Sequence, residues 1–227
     1  LTMENRVLFH RVANTLNYLD IRTVIVSCGT CMDQLMHYEF GRIFPGCRLL
    51  DIHEYLMEKA SSSQTAEPSL IPEIGPLSHW TDGGATDQTR MQYLYHDPCP
   101  SPMKTHPPLK VAARLLGQPV TLTDRCCGEA GTLGTARPDI ANQLRFRKQE
   151  SLVEGIRHLT GEAQARGRVK VLTSCPACQQ GLAKYTDDTG LETDYIITEL
   201  AKERFGKGWQ QRFLSRISQG GIERVLL

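Results

Sequence analysis

The chain has 227 residues, of which 40% are hydrophobic and 22% charged, an ordinary balance for a globular protein with one large domain or two small ones. A net charge of +1 creates no strong field, which argues against nucleic acid or an acidic membrane surface as the main partner. No apolar run is long enough to span a bilayer and none opens the chain as a signal peptide. The eight cysteines are therefore expected in a reducing cytosol, where grouped thiols bind metal or do redox chemistry more often than they form disulfides. The sequence begins Leu1-Thr2-Met3 and enters a helical pattern at once, as expected of a piece of something longer.

In chain order, Val7, Leu8, Val12, Leu16 and Leu19 form the stripe of an amphipathic helix over residues 4–19. Thr23-Val24-Ile25-Val26 is a short β-branched run, read as a buried strand, and Cys28 and Cys31 follow it. Residues 50–60 read as a second helix. Residues 61–90, rich in Ser, Pro, Gly and Thr and without a period, read as a linker or long surface loop. Gln92–Tyr95 is a strand leading to His96-Asp97-Pro98-Cys99, and Lys110–Leu116 a short helix. Val120–Thr123 is a strand followed by Arg125-Cys126-Cys127-Gly128. Pro138 suits the first turn of a helix that Ile140, Leu144, Leu152, Ile156 and Leu159 continue on one face. Val169–Thr173 is a strand followed by Cys175 and Cys178, and residues 194–204 form a helix.

Part of this order occurs twice. Val24-Ile-Val-Ser-Cys-Gly-Thr-Cys31 aligns with Val171-Leu-Thr-Ser-Cys-Pro-Ala-Cys178, and Ile52-His-Glu54 with Ile197-Thr-Glu199. Strands alternating with helices predict an α/β fold, a parallel sheet flanked by helices and built from an internal repeat. Ligands of such sheets gather at the carboxyl ends of the strands, and every cysteine motif except Cys47 follows a strand.

Cys99, Cys126, Cys127, Cys175 and Cys178 thus read as one ligand set. Four thiolates hold an iron–sulfur cluster, and four ligands hold a structural zinc. A fifth thiol can bridge, share an iron or stay free to react. Three readings stay open on the residues alone: an iron–sulfur centre, a zinc-binding interaction module, and a thiol–disulfide reductase using Cys126-Cys127 or a CxxC pair.

The segments Asn17–Cys31, Phe44–Leu56 and Asp124-Arg-Cys-Cys-Gly-Glu129 resemble the cysteine-rich CCG domain of heterodisulfide reductase and of the glycolate oxidase iron–sulfur subunit. The same domain occurs in anaerobic glycerol-3-phosphate dehydrogenase and in lactate-utilisation proteins. The chain is most similar to the carboxyl-terminal region of large bacterial FAD-linked dehydrogenases. The resemblance covers nearly the whole chain apart from residues 61–90 and implies tandem C…CCG…CxxC units. It implies a 4Fe–4S cluster, non-cubane in heterodisulfide reductase, on Cys99, Cys126, Cys127, Cys175 and Cys178. It also implies a half-site at Cys28 and Cys31, and FAD on an upstream flavin domain as partner. The division would be 1–60 for the end of the first unit, 61–90 for the linker and 91–227 for the complete second unit. The implied role is electron transfer in oxidation of a 2-hydroxy acid such as lactate or glycolate, in the cytoplasm or against the inner face of the membrane. Three departures from the family pattern stand out: the incomplete first unit, Pro100 where members commonly carry His, and a long Cys127–Cys175 gap.

Other residues carry weaker signals. Cys47 follows Phe44-Pro-Gly in a turn and reads as structural. Gly128, Gly131 and Gly134 suit close backbone approach to a cluster better than a phosphate loop. Arg125 either offsets thiolate charge or is solvated. His96 and Asp97 read as a turn before Pro98, with hydrogen bonding to the site as the alternative. Trp209, Phe213 and Ile217 form an apolar helix face, core or docking surface.

Overall fold

The computed structural model describes residues 3–5, 7–8, 22–62, 91–129 and 131–220. Most of the helix expected over 4–19, and nearly all of the segment 61–90, lie outside this set; residues 3–5 and 7–8 are helical.

Two parallel sheets organise the described chain. In the smaller, β1 (Thr23–Val26) leads through α1 (Gly29–His37) and α2 (Phe40–Ile43) to β2 (Arg48–Asp51), and β1 and β2 pair in parallel. Helix α3 (Ile52–Ser62) follows. The larger sheet contains β3 (Gln92–His96), β4 (Val120–Leu122), β5 (Val169–Thr173) and β6 (Glu192–Tyr195) in the spatial order β4-β3-β5-β6, every pair parallel. Its connections carry α4 (Pro108–Leu116), α5 (Leu133–Ala136), α6 (Pro138–Thr160), α7 (Pro176–Ala183) and α8 (Thr186–Thr189). Helices α9 (Ile196–Phe205) and α10 (Trp209–Gly220) end the described chain. The fold is α/β, with parallel sheets flanked by helices.

Two expectations on element type need correction. Leu50 and Asp51 end strand β2, and Asp194 and Tyr195 end strand β6; both stretches were expected to be helical. In each case four residues of strand run directly into a helix, so helical spacing extends back across the boundary. Strand β1 is also less buried than expected: Ile25 is 40% exposed among the described residues, because β1 has only β2 as a described strand partner. The carboxyl-terminal helix face is likewise open, with no buried residue in α10 and Phe213 exposed.

Side-chain alternation splits the core of the larger sheet into two layers. Leu94 and Val171 face one way, onto Leu152 and Ile156 of α6 and Leu182 of α7. Tyr95 and Leu172 face the other way, onto Val111, Ala112, Leu115 and Leu116 of α4 and Ile196 of α9. Helix α4 starts with Pro108 in its first turn and stops at Gly117, whose φ of 57° is the left-handed conformation that ends helices. Helix α6 presents Ala141, Lys148, Leu152 and Ile156 inward, whereas Ile140 is 38% exposed. The buried face is thus rotated from the stripe of apolar residues, because one of its members is a lysine.

The two sheets meet through polar contacts. The buried Glu54 carboxylate accepts backbone N–H bonds from Thr105 and His106, both at 2.7 Å, from the loop that follows Cys99. Lys104 pairs with Asp33 at 2.8 Å, and Tyr195 Oη donates to the Ser27 carbonyl at 3.0 Å. A Cβ on Gly29 would sit 2.0 Å from the Pro100 carbonyl oxygen, so a side chain there would force the two segments apart.

Leu152 is fully buried between α6 and the sheet, and Phe146 is 63% exposed on the same helix. Leu152→Ala should cost about 2–5 kcal/mol and Phe146→Ala within about 0.5 kcal/mol, read from denaturant midpoints. Equal losses would mean that α6 is seated on another face.

Candidate metal centre

Parallel pairing puts the carboxyl ends of β3, β4 and β5 on one edge of the larger sheet. Cys99 follows β3, Cys126 and Cys127 follow β4, and Cys175 follows β5, with Cys178 one helical turn further on in α7. All eight cysteines are free; Cys99 and Cys31 are exposed, and Cys127, Cys175 and Cys178 are buried.

The thiols of the three loops converge. The sulfurs of Cys127 and Cys178 are 3.3 Å apart. Cys99 interacts with the Cys126 and Cys127 thiols, and Cys175 with Cys178. The Gly128 N–H donates to the Cys126 sulfur at 3.4 Å, and Gly128 adopts a φ of 79° that disfavours side chains. At Gly181 of α7 a Cβ would lie 2.4 Å from Glu129 Cγ, so glycine lets the α7 backbone close against the loop carrying the adjacent cysteines.

Proton sharing sets the charge of this group. The hydrogen bond with Cys178 lowers the Cys127 thiol to about 4, with help from His96, although burial opposes the shift. Cys175 falls to about 6, again chiefly through its bond with Cys178. Cys178 is raised, because its proton serves both neighbours. Burial and the nearby Cys126 raise Cys99. The lowering of Cys127 and Cys175 favours the thiolate, the form in which cysteine binds metal.

Two further residues lie at this edge: His96, for which the sequence favours a turn and offers contact with the site only as the alternative, and Lys148, which the sequence does not single out. His96 is the last residue of β3, 2% exposed, and so belongs to a strand and not to a turn. One of its ring nitrogens and the sulfurs of Cys127 and Cys178 lie within 4.8 Å of one another. Lys148 of α6 is fully buried and reaches the Thr123 Oγ1 at 3.0 Å, the Thr123 and Asp124 carbonyls at 3.3 and 2.7 Å, and His96 Nδ1 at 3.1 Å. Burial lowers its pKa to about 8, against the pull of the Cys127 and Asp124 charges. Arg125 is instead solvated, 3.8 Å from Asp124 and with its side chain 58% exposed. The cation beside the thiolates is a lysine from a distant helix. Its only sequence signal is a charge at an inward position of α6.

The CxxC of the smaller sheet lies in the same neighbourhood. Cys31 is raised by its bond to Cys28 and, to a smaller degree, by burial and by the charges of Cys28 and Cys175. Cys47 sits against Phe40, Ile43 and Phe44, away from these thiols. The donor set near Cys127 is soft, anionic and partly dry, which suits zinc or an iron–sulfur group and not a hard oxygen-seeking cation.

With iodoacetamide, the metal-free chain should be labelled at Cys31 and Cys99 before Cys127, Cys175 or Cys178. Because both exposed thiols are raised above their ordinary value of 9.0, labelling should accelerate as pH climbs past it. Peptide mass spectrometry reads the order, and early labelling of Cys127 would contradict the burial described.

Two family models match the chain. Residues 93–183 match the cysteine-rich CCG domain, and residues 183–227 match a domain of unknown function, DUF3400. No curated protein and no solved structure matches. Among the described residues no helix is long and apolar enough to cross a membrane. The segment similar to the cysteine-rich CCG domain, residues 93–183, contains all five converging thiols.

Proposed function

We propose that this chain is an iron–sulfur electron-transfer module in which Cys99, Cys126, Cys127, Cys175 and Cys178 hold a 4Fe–4S cluster. The observation that carries the reading is the meeting of thiols from three strand-end loops, where hydrogen bonds with Cys178 lower Cys127 and Cys175. Such a cluster, when bound, supplies one-electron transfer. The protein's own contributions are distinct. Burial of Cys127, Cys175 and Cys178 keeps water from the inner side. The Gly128 N–H supports the Cys126 sulfur, and Lys148 places a positive charge beside the anionic group.

In this reading residues 91–227 form a complete CCG unit, and residues 1–60 contribute the half-site Cys28 and Cys31. Electrons come from FAD on an upstream flavin domain that oxidises a 2-hydroxy acid such as lactate or glycolate, in the cytoplasm or against the inner membrane face. These finer assignments rest on the resemblance of the motifs to flavin-linked dehydrogenases. A second reading, a structural zinc site, is favoured by the compact group of His96, Cys127 and Cys178, which with Cys175 supplies four ligands.

Anaerobic reconstitution with iron and sulfide should give about four irons and four sulfides per chain. Cys127→Ser should lose or alter the centre, whereas Cys47→Ser should leave it intact. Stoichiometric zinc with no iron uptake would establish the second reading. Eight irons would mean that the Cys28–Cys31 site is complete.

A further inference from the structure

Of the five converging thiols, Cys99 alone is exposed. No helix or strand lies between His96 at the end of β3 and Pro108 at the start of α4, so the loop that carries Cys99 depends on side-chain anchors. Its near end is held by its own sheet: Asp97 Oδ1 accepts from Ser101 Oγ at 2.8 Å and from Tyr95 Oη at 3.1 Å. Its far end is held from the smaller sheet. The fully buried Glu54 of α3 accepts three consecutive backbone N–H groups, Thr105 and His106 on Oε1 at 2.7 Å and Lys104 on Oε2 at 3.4 Å. A buried carboxyl group is costly unless donors meet it, and its carbonyl oxygen accepts such bonds whether or not the group is ionised.

Two more contacts reach the same loop from the smaller sheet. Lys104 pairs with Asp33 of α1 at 2.8 Å. Gly29 lies so close that a Cβ would fall 2.0 Å from the carbonyl oxygen of Pro100, the residue next to Cys99. The repeat shows that the clamp is not a habit of the position. Glu199, which aligns with Glu54, pairs with Lys170 at 2.9 Å and accepts from Tyr93 Oη at 3.0 Å, both in its own sheet. Glu54 instead reaches across to the other sheet's loop.

We propose that Glu54 is a positioning residue for Cys99, through which the smaller sheet delivers the fifth thiol to the site built on the larger one. Cys99 hangs between two anchors, one from each sheet, and only the anchor from its own sheet remains when Glu54 lets go. The smaller sheet is then part of the metal centre without supplying a ligand to it. The proposal rests on the metal-centre reading above, but the place of the loop can be measured without metal.

The first test uses the metal-free chain and a short bis-methanethiosulfonate crosslinker, with peptide mass spectrometry. Wild type should yield a product joining Cys99 to Cys126. Glu54→Leu, which keeps bulk and removes the acceptors, should cut that product about tenfold, and Glu54→Gln, which keeps an acceptor oxygen, should retain most of it. Amide exchange at Thr105 and His106 should be slow in wild type and about tenfold faster in Glu54→Leu, with β3 and β5 unchanged. Unchanged crosslinking and exchange in a folded Glu54→Leu chain would overturn the proposal, as would fast exchange of both amides in wild type. If Glu54→Leu does not fold, Gly29→Ala, which pushes on the Pro100 end, should give the same loss of the Cys99–Cys126 product; an undiminished product would overturn the proposal. In the reconstituted protein iodoacetamide should spare Cys99 in wild type and in Glu54→Gln. In Glu54→Leu it should alkylate Cys99 while Cys127, Cys175 and Cys178 stay protected. Exposure of all these thiols together would make Glu54 a general stabiliser and overturn its positioning role. Failure of wild type to take up iron and sulfide would defeat the cluster reading alone, because crosslinking and exchange are read without metal.

Discussion

The site depends on one constraint, the parallel pairing of β3 with both β4 and β5. Register fixes Tyr95 opposite Leu122 and Leu172, so all three strands end together on one edge. A loop follows each strand, and each loop carries cysteine: Cys99, the pair Cys126-Cys127, and Cys175. Reversing or slipping any strand would carry its thiol to the other edge or turn it toward the opposite layer. The hydrophobic layers on either side of the sheet make such a slip costly, because Leu94 and Tyr95 are both fully buried and face opposite ways. Core packing and ligand placement are therefore one problem with one solution.

Collecting thiolates in a partly dry pocket has an electrostatic cost, and the chain offsets it with local donors and one cation. The donors are backbone N–H groups at Gly128 and in the loops and the proton shared through Cys178. The cation is Lys148, itself unfavourable to bury but satisfied by four partners. Long α6 ties this cation to the core: the helix that brings Lys148 to the thiols also supplies Leu152 and Ile156 to the hydrophobic layer. Glu54 plays the comparable part between the sheets, holding the loop after Cys99 through its backbone N–H groups.

The strands β3, β4 and β5 were legible because their β-branched and aromatic runs are short, apolar and followed at once by cysteine. The sites of convergence were legible for the same reason. Strands β2 and β6 were not, since Glu192-Thr-Asp-Tyr195 is polar at a sheet edge and each runs straight into a helix. Lys148 was hidden because apolar spacing is blind to a charged residue on a buried face. For His96 the turn reading outweighed contact with the site because its neighbours Asp97 and Pro98 carry a turn signal, and nothing in the local sequence shows that pairing with Thr173 keeps it in the strand. Long-range register and burial decided both, and neither is a local property.

The central claim is that thiols from three loops share one metal group at this edge. Iron anomalous scattering from crystals of the anaerobically reconstituted chain tests it most directly. The account predicts a single iron-rich peak bounded by Cys99, Cys126, Cys127, Cys175 and Cys178. Iron elsewhere, or a peak touching the thiols of one loop only, would contradict it.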